Sequence, residues 1–253
     1  MGMLTERDIN LYNESGYVVP DFQLDAEIVE EIGFYHDHLI KKHPEYSDYC
    51  PAVLCYETGF LKFARIPEIL DMVEQLIGPD FALWNSSFFA KPAKVGSKTP
   101  WHQDGEYWPV RPLATCSVWI AVDDSTEENG CLRVIPGSHK GRRLKPHDYN
   151  SADGLSLALE LKSEEYDEAS AETIILRAGQ ISLHDVYLVH GSEPNRSEHP
   201  RRGMTLRYMP TTSVFDRSLD TNKRVGKFAM SERTLYLMRG TDQSKQNDFR
   251  IRY

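Results

Sequence analysis

One short stretch of the chain, TPWHQDGEYWPVRP at residues 99–112, sets a histidine and a carboxylate two apart, His102 and Asp104, among aromatic rings and prolines. On an extended strand or at its end, the two-residue period sends both side chains to one face, where they can share one metal ion. The spacing alone is weak. With nine His and 38 Asp plus Glu in 253 residues, chance supplies such a triplet about 9 × 38/253, roughly 1.4 times. A second one, His43-Pro44-Glu45, lies in the polar turn KKHPEYSD and reads as solvated surface.

Two ligands rarely hold a catalytic ion, so a third has to come from a distant strand. LHDVYLVHGSEPNRSEHPRR, residues 183–202, offers His184 and His190. Strand parity does not choose between them, because they are an even number apart. His199, in the polar SEHPR, reads as a loop residue. Two histidines and one carboxylate on one side of an ion leave the opposite positions open, as in the non-haem Fe(II) oxygenases that bind a cosubstrate and dioxygen together. A zinc hydrolase is the competing chemistry. It needs a nearby base to activate water, and the sequence has no HExxH or comparable segment.

These residues need strands to carry them, and from residue 80 the sequence turns to β. FALWNSSFFAK, ATCSVWIAVDD, CLRVIPGS, ETIILRAG, QISLH and GMTLRYMPTT are short, rich in branched and aromatic residues, and bounded by Gly, Pro, Asn or Asp. Short strands without intervening helices point to an antiparallel sandwich or barrel. The first 79 residues read as helices around one extended piece, GYVVP. Thr5 and Asp8 form a capping box. Ile28, Ile32, Tyr35 and Leu39 make an amphipathic stripe that leaves His36 and His38 facing solvent, and PEILDMVEQLIG has Pro67 in its first turn and Gly78 past its end. Residues 140–172 form a polar excursion whose plain reading is a solvated surface; a lid over a site is the alternative. In the C-terminal extension, 213–253, SERTLYLMRG reads as a helix. No linker divides the chain, so one domain spans 1–253, with a β core over about 80–212.

The bulk numbers narrow the function classes. A net charge of −9 argues against a nucleic-acid partner, which calls for a clustered basic face. No run approaches the eighteen or so apolar residues of a membrane span. MGMLTERD lacks the basic start and apolar stretch of a secretory signal, and Glu6 stands where a myristoylation motif needs Ser or Thr. Cys50, Cys55, Cys116 and Cys131 form no CxxC pair; reduced thiols in the cytoplasm are the expectation. Oligomeric state is not set by anything in the sequence.

The chain resembles the phytanoyl-CoA dioxygenase-like group of Fe(II)/2-oxoglutarate oxygenases. The likeness runs through ESGYVVPDF, PEILDMVEQLIGP, TPWHQDGEYWPVRP, ENGCLRVIPGSHKG and LVHGSEPNRSEHPRRGMTLRY, in that order and spacing. It implies a double-stranded β-helix (jelly-roll, cupin-like) core with flanking helices, and Fe(II), 2-oxoglutarate and O2 as cofactor and cosubstrates. It implies His102, Asp104 and His190 as the metal triad. The family's arginine eleven residues past the distal His, which grips the far carboxylate of 2-oxoglutarate, falls on Arg201; a guanidinium fork pairs bidentately with such a group. Ser192, Trp119 and Ser87 match positions that help hold the cosubstrate. The cosubstrate-binding lysine that relatives often carry upstream is missing from DYCPAVLCYE; either another residue, such as Tyr49 or Tyr56, replaces it, or the binding mode differs. The intact Asp104 argues against a halogenase, in which a small residue leaves room for chloride.

For the small-molecule substrate, Tyr107, Trp108 and Arg111 directly follow the metal pair and are candidates for the pocket mouth. Arg207 shares strand parity with Arg201, which gives the expectation that it meets an anionic group of the substrate; an outward arginine, or one paired with a structural acid, is the alternative. A metal-binding jelly roll that only binds or senses a ligand, or acts on it differently, is the second reading of the whole chain.

Overall fold

A computed structural model of the protein describes residues 3–219, 224–225 and 228–252. The first two residues of MGMLTERD, and 220–223, 226–227 and 253 of the C-terminal extension, lie outside the described residues.

Helix α1 (Glu6–Ser15) starts at the expected capping box, with Thr5 and Asp8 bonding each other's backbone N–H groups, and α3 (Pro67–Ile77) runs from its proline to Gly78. The helix α2 (Ala26–Lys42) has the expected period but a different face. Val29, Ile32, Gly33, His36 and Leu39 are its buried residues, whereas Ile28 and Tyr35 are half-buried. The expectation that His36 faces water is therefore corrected: its ring stacks on Phe88 with centroids 4.1 Å apart, while His38 is exposed. The apolar stripe is centred one position later than the large residues alone indicate, with Gly33 buried beside the Arg202 guanidinium.

In chain order the strands are β1 (Tyr17–Val18), β2 (Tyr49–Cys50), β3 (Phe81–Lys91), β4 (Thr99–His102), β5 (Val110–Arg111), β6 (Cys116–Ala121), β7 (Leu132–Val134), β8 (His147–Tyr149) and β9 (Leu159–Leu161). They continue with β10 (Glu172–Ile174), β11 (Ile181–Asp185), β12 (His190–Ser192), β13 (Arg201–Pro210), β14 (Val214–Phe215), β15 (Arg224–Val225), β16 (Phe228–Ala229) and β17 (Tyr236–Arg239). The larger sheet runs β1-β11-β6-β13-β3-β17, with β2 also on β3; the smaller runs β10-β7-β12-β4. Their pairings are antiparallel. Together they form the jelly roll.

Alternation along the strands divides the chemistry from the core. On β13, Met204, Leu206 and Tyr208 join the main apolar cluster with Ile32, Phe60, Phe63, Ile69 and Met72 of the helical segments. Burial of each such side chain contributes on the order of 1.5–3 kcal/mol. The intervening Arg201, Thr205 and Arg207 point the other way, into a space lined by His102, Leu132, His190 and Ser192 of the smaller sheet. A side-chain period of two thus builds a wall that is apolar behind and polar in front.

Two expectations about loops change. SERTLYLMRG is not a helix: a short turn, Met230–Glu232, leads into strand β17, which pairs with the Phe81–Leu83 end of β3. That sheet edge offers unpaired backbone groups, and Leu235 and Tyr236 are buried there. Residues 140–172 are more than a solvated surface, because the β8–β9 hairpin within them lends Tyr149, Leu157, Ala158 and Leu159 to a cavity wall. Among the described residues, no helix is long and apolar enough to cross a membrane.

Candidate metal centre

His102 ends β4 and His190 begins β12, and the register sets them directly opposite each other. Asp104 follows in the turn after β4. One ligand atom from each of the three lies within 4.8 Å of the others, and all three side chains are buried. Of the two distal histidines, His190 is the one that clusters with His102 and Asp104. His190 faces the shared point, while His184 stands beside it on β11, its Nε2 3.8 Å from Asp104 Oδ2. Asp104 Oδ1 faces His102 Nε2 at 3.8 Å.

Backbone carbonyls fix both imidazoles. Nδ1 of His102 is 2.8 Å from the Pro100 carbonyl and Nδ1 of His190 is 2.9 Å from that of Leu188. A carbonyl only accepts, so each Nδ1 carries the proton and each Nε2 presents a lone pair. This is the usual way a protein orients histidine ligands. Burial pushes both imidazoles below their ordinary value against the pull of Asp104, so they stay neutral. Burial opposes ionisation of Asp104, yet the Arg207 guanidinium, with His184 beside it, holds its carboxyl well below the usual range.

Residues that sequence reasoning missed support the loop between the ligands. Gln103 points away from the centre: its Oε1 accepts from Lys145 N at 2.8 Å, and its Nε2 donates to the Tyr187 carbonyl at 2.6 Å. Its backbone N–H donates to His147 Nε2 at 3.0 Å, and His147 Nδ1 is held by the Lys145 carbonyl at 2.8 Å. Strand parity already placed Gln103 opposite its neighbours; nothing local revealed that His147, 44 residues on, would meet it.

Two connected cavities flank the triad. A narrow inner slot is lined by Thr99, Trp119, His184, Ser192, Arg201 and Thr205. Arg201 donates from Nη1 to the Phe89 carbonyl at 3.2 Å, and its guanidinium lies 5.4 Å from the Trp119 ring centre. Burial lowers its pKa to about 10, which leaves it charged at neutral pH. Gly203, between Arg201 and Thr205 on the inward face of β13, is required by close approach: a Cβ there would fall 2.0 Å from Trp119 Cζ2. The outer cavity, about 210 Å³, is lined by Tyr49, Asn85, Tyr107, Trp108, Arg207 and Arg233 among others.

The remaining expected site residues divide between these spaces and others. Ser192, Trp119 and Arg201 line the slot; Tyr107 and Trp108 line the outer cavity; Arg207 lines both. Ser87 lines neither, and its Oγ accepts a 2.6 Å bond from Arg207 Nη1. Arg111 is exposed at the end of β5, donating to the carbonyls of Trp108 and Val110. Of the two tyrosines that could replace the missing lysine, Tyr49 reaches the outer cavity, whereas Tyr56 bonds Tyr46 at 2.7 Å.

These residues fit a metal and an acidic cosubstrate. Asp104 Oδ2, His184 Nδ1, Thr205 Oγ1 and the Nε atoms of Arg201 and Arg207 are buried around this one spot without a hydrogen-bond partner. Such atoms are costly unless something completes them. Two neutral imidazoles and a carboxylate with an open side suit Fe(II), and a buried guanidinium at the end of the same slot suits a carboxylate.

The chain is similar to several known proteins. ThoJ, a non-heme monooxygenase, superposes with a TM-score of 0.73 at 25% identity, covering 96% of this chain and 87% of that one. The human peroxisomal phytanoyl-CoA dioxygenase is 34% identical over 153 residues, 58% of this chain and 45% of the human protein. A probable alpha-ketoglutarate-dependent hypophosphite dioxygenase of Stutzerimonas stutzeri is 30% identical over 148 residues, 57% of this chain and 50% of its own. The chain spans about half the length of these two relatives. The model of the phytanoyl-CoA dioxygenase (PhyH) family matches residues 37–203. That match covers more than half of the chain and includes all three clustered ligands, so this protein belongs to the phytanoyl-CoA dioxygenase family.

Proposed function

We propose that the protein is an Fe(II)- and 2-oxoglutarate-dependent dioxygenase that hydroxylates, or otherwise oxidises, an unactivated C–H bond of a small molecule, with release of succinate and CO2. The observation that carries this reading is the meeting of His102, Asp104 and His190 at one buried point, with the guanidinium of Arg201 buried in the same slot. When bound, iron and 2-oxoglutarate supply the activation of O2 and the oxidising equivalents.

The chain's own residues do the positioning. His102 and His190 present fixed Nε2 lone pairs, and Asp104 adds one charged oxygen. Arg201 takes the far carboxylate of the cosubstrate, with Ser192 and Thr205 as hydroxyl partners and Trp119 as a flat wall. Tyr107, Trp108 and Tyr49 shape the outer cavity for the substrate, and the β8–β9 hairpin limits entry of water, which protects the pocket from stray oxidation. Ser87 acts through Arg207, and Arg111 has no part in the site.

The reading extends to setting. A single domain over residues 1–253 is supported by the core that the helices share with the larger sheet. A cytoplasmic location is supported by the buried free thiols of Cys50, Cys116 and Cys131. A freely diffusing small substrate, with no nucleic-acid or membrane partner, is in keeping with the net charge of −9.

The test is anaerobic addition of Fe(II) and 2-oxoglutarate, followed by air. A weak visible charge-transfer band under nitrogen, absent in His190→Ala, and succinate release under air are the expected results. Ligand binding with no succinate under air would make this a sensing or binding protein, and metal binding indifferent to 2-oxoglutarate would point to another metal chemistry.

A further inference from the structure

His184 has no task in the metal chemistry so far, although it is buried, at 3% exposure, and lines the inner slot. Its ring centre is 5.1 Å from that of His190, so a third imidazole crowds the two that present lone pairs. The two oxygens of Asp104 have different surroundings there. Oδ1 faces His102 Nε2, whereas Oδ2 stands 3.8 Å from His184 Nε2 and 3.8 Å from Arg207 Nε. Oδ2 is buried and has no hydrogen-bond partner, and the same holds for Arg207 Nε. A shift of about 1 Å brings either nitrogen to hydrogen-bond length.

Strand register brings both nitrogens to this oxygen. His184 on β11 and Arg207 on β13 are each paired with Ser117 of β6, the strand between them. Strands two apart are separated by about 9.5 Å, so the two long side chains lean toward each other over the short serine. A carboxylate oxygen only accepts and a guanidinium Nε only donates. His184 meets Oδ2 favourably only with a proton on Nε2. That is the opposite placing from His102 and His190, whose Nδ1 protons are held by the Pro100 and Leu188 carbonyls. No carbonyl holds His184 in this way, because its Nδ1 is buried without a hydrogen-bond partner. An imidazole that turns an N–H to the cluster has no lone pair there for a metal.

We propose that His184 is a positioning residue of the metal site: with its proton on Nε2 it donates to Asp104 Oδ2 alongside Arg207, which leaves Oδ1 for the ion and keeps His184 itself out of the ligand set. The inference deepens the oxygenase reading and rests on it for the identity of the ion. Each oxygen of Asp104 then has a separate task, and the third imidazole serves the carboxylate rather than the metal.

Two measurements test it. Heteronuclear NMR of the imidazole nitrogens, on the protein before metal is added, reads the proton positions directly. A proton on Nε2 of His184 is expected, against Nδ1 for His102 and His190; a proton on Nδ1 of His184 alone would overturn the role. Calorimetric titration with Co(II) then compares His184→Leu with His184→Gln, whose amide nitrogen reaches the place of Nε2. The leucine variant is expected to bind Co(II) about ten- to a hundredfold more weakly, and the glutamine variant to recover most of that loss. Packing alone would not set glutamine above leucine. Unchanged affinity in His184→Leu, or an equal loss in both variants, would overturn the role. His184→Asn, whose shorter amide reaches only the place of Nδ1, takes over the comparison if the leucine variant fails to fold. The expected proton position and variant order with no succinate under air would sink the oxygenase reading and leave the positioning role standing. Succinate release with the proton on Nδ1 alone would do the reverse.

Discussion

His102 and His190 are cross-strand partners, with ring centroids 4.2 Å apart and each Nδ1 bonded to the carbonyl two residues before it. The pair is therefore aimed by backbone that the smaller sheet already holds, so the geometry of the candidate ligands is set by the fold itself. Replacing either histidine by alanine is expected to leave the fold intact and to reduce Co(II) or Fe(II) affinity by about a hundredfold or more, since even supporting partners typically contribute ten- to a hundredfold. Calorimetric titration with the metal alone checks this, and unchanged affinity in His190→Ala would return His184 to candidacy.

Gln103 fastens the turn between two ligands to the insert. Gln103→Ala strands the Lys145 N–H and the Tyr187 carbonyl, both bonded by its side chain. The expected loss is about 1–3 kcal/mol of stability, since a buried partner is left unpaired. Metal affinity should fall by about tenfold. Thermal unfolding and metal titration of the same variant test both halves.

Gly203→Ala is expected to be more damaging than its size implies. The added Cβ would meet Trp119 Cζ2 at 2.0 Å, which forces the indole across the slot. Overpacking of this kind costs about 1–3 kcal/mol, and the KM for 2-oxoglutarate should rise. A variant with wild-type stability and KM would mean that Trp119 has another place to go.

Ser87 separates two roles. If it serves Arg207, as its 2.6 Å bond indicates, Ser87→Ala should raise the substrate KM and leave that of 2-oxoglutarate alone. A rise confined to 2-oxoglutarate would restore Ser87 to the cosubstrate.

His36 gives the fold an acid-sensitive point remote from the centre. Burial lowers its pKa to about 4, against about 6.5 in an unfolded chain. Its folded form is thus neutral where the unfolded form takes up a proton, so its stabilising contribution is complete above pH 6.5 and is lost as pH falls toward 4. The loss over that window is about 3 kcal/mol. Denaturant unfolding of His36→Phe, which keeps the contact with Phe88, should show a flatter acid limb than the wild type.

Much of this was legible in the sequence where one periodicity governed. The β core, the His102–Asp104 pair and the shared inward direction of Arg201 and Arg207 follow from alternation along strands, and α1 and α3 from their caps. What failed depended on partners distant in the chain. The strand at Tyr236–Arg239 exists because β3 has a free edge, which no local propensity reports. His36 went inside because Phe88 meets it, and His147 and Arg233 entered the site through loops whose course no spacing fixes. Ser87 stands opposite Thr205 and Arg207 opposite Asn85, so the bond from Arg207 to Ser87 runs diagonally between β13 and β3, and only the register between those strands decides it.

The β8–β9 hairpin is fastened at its root, where His147 accepts from the Gln103 backbone, while Tyr149, nearer the tip, is 76% exposed and still borders the cavity. Substitutions at the tip would therefore reshape the mouth of the cavity while the root, tied to the Gln103 turn, stays as it is.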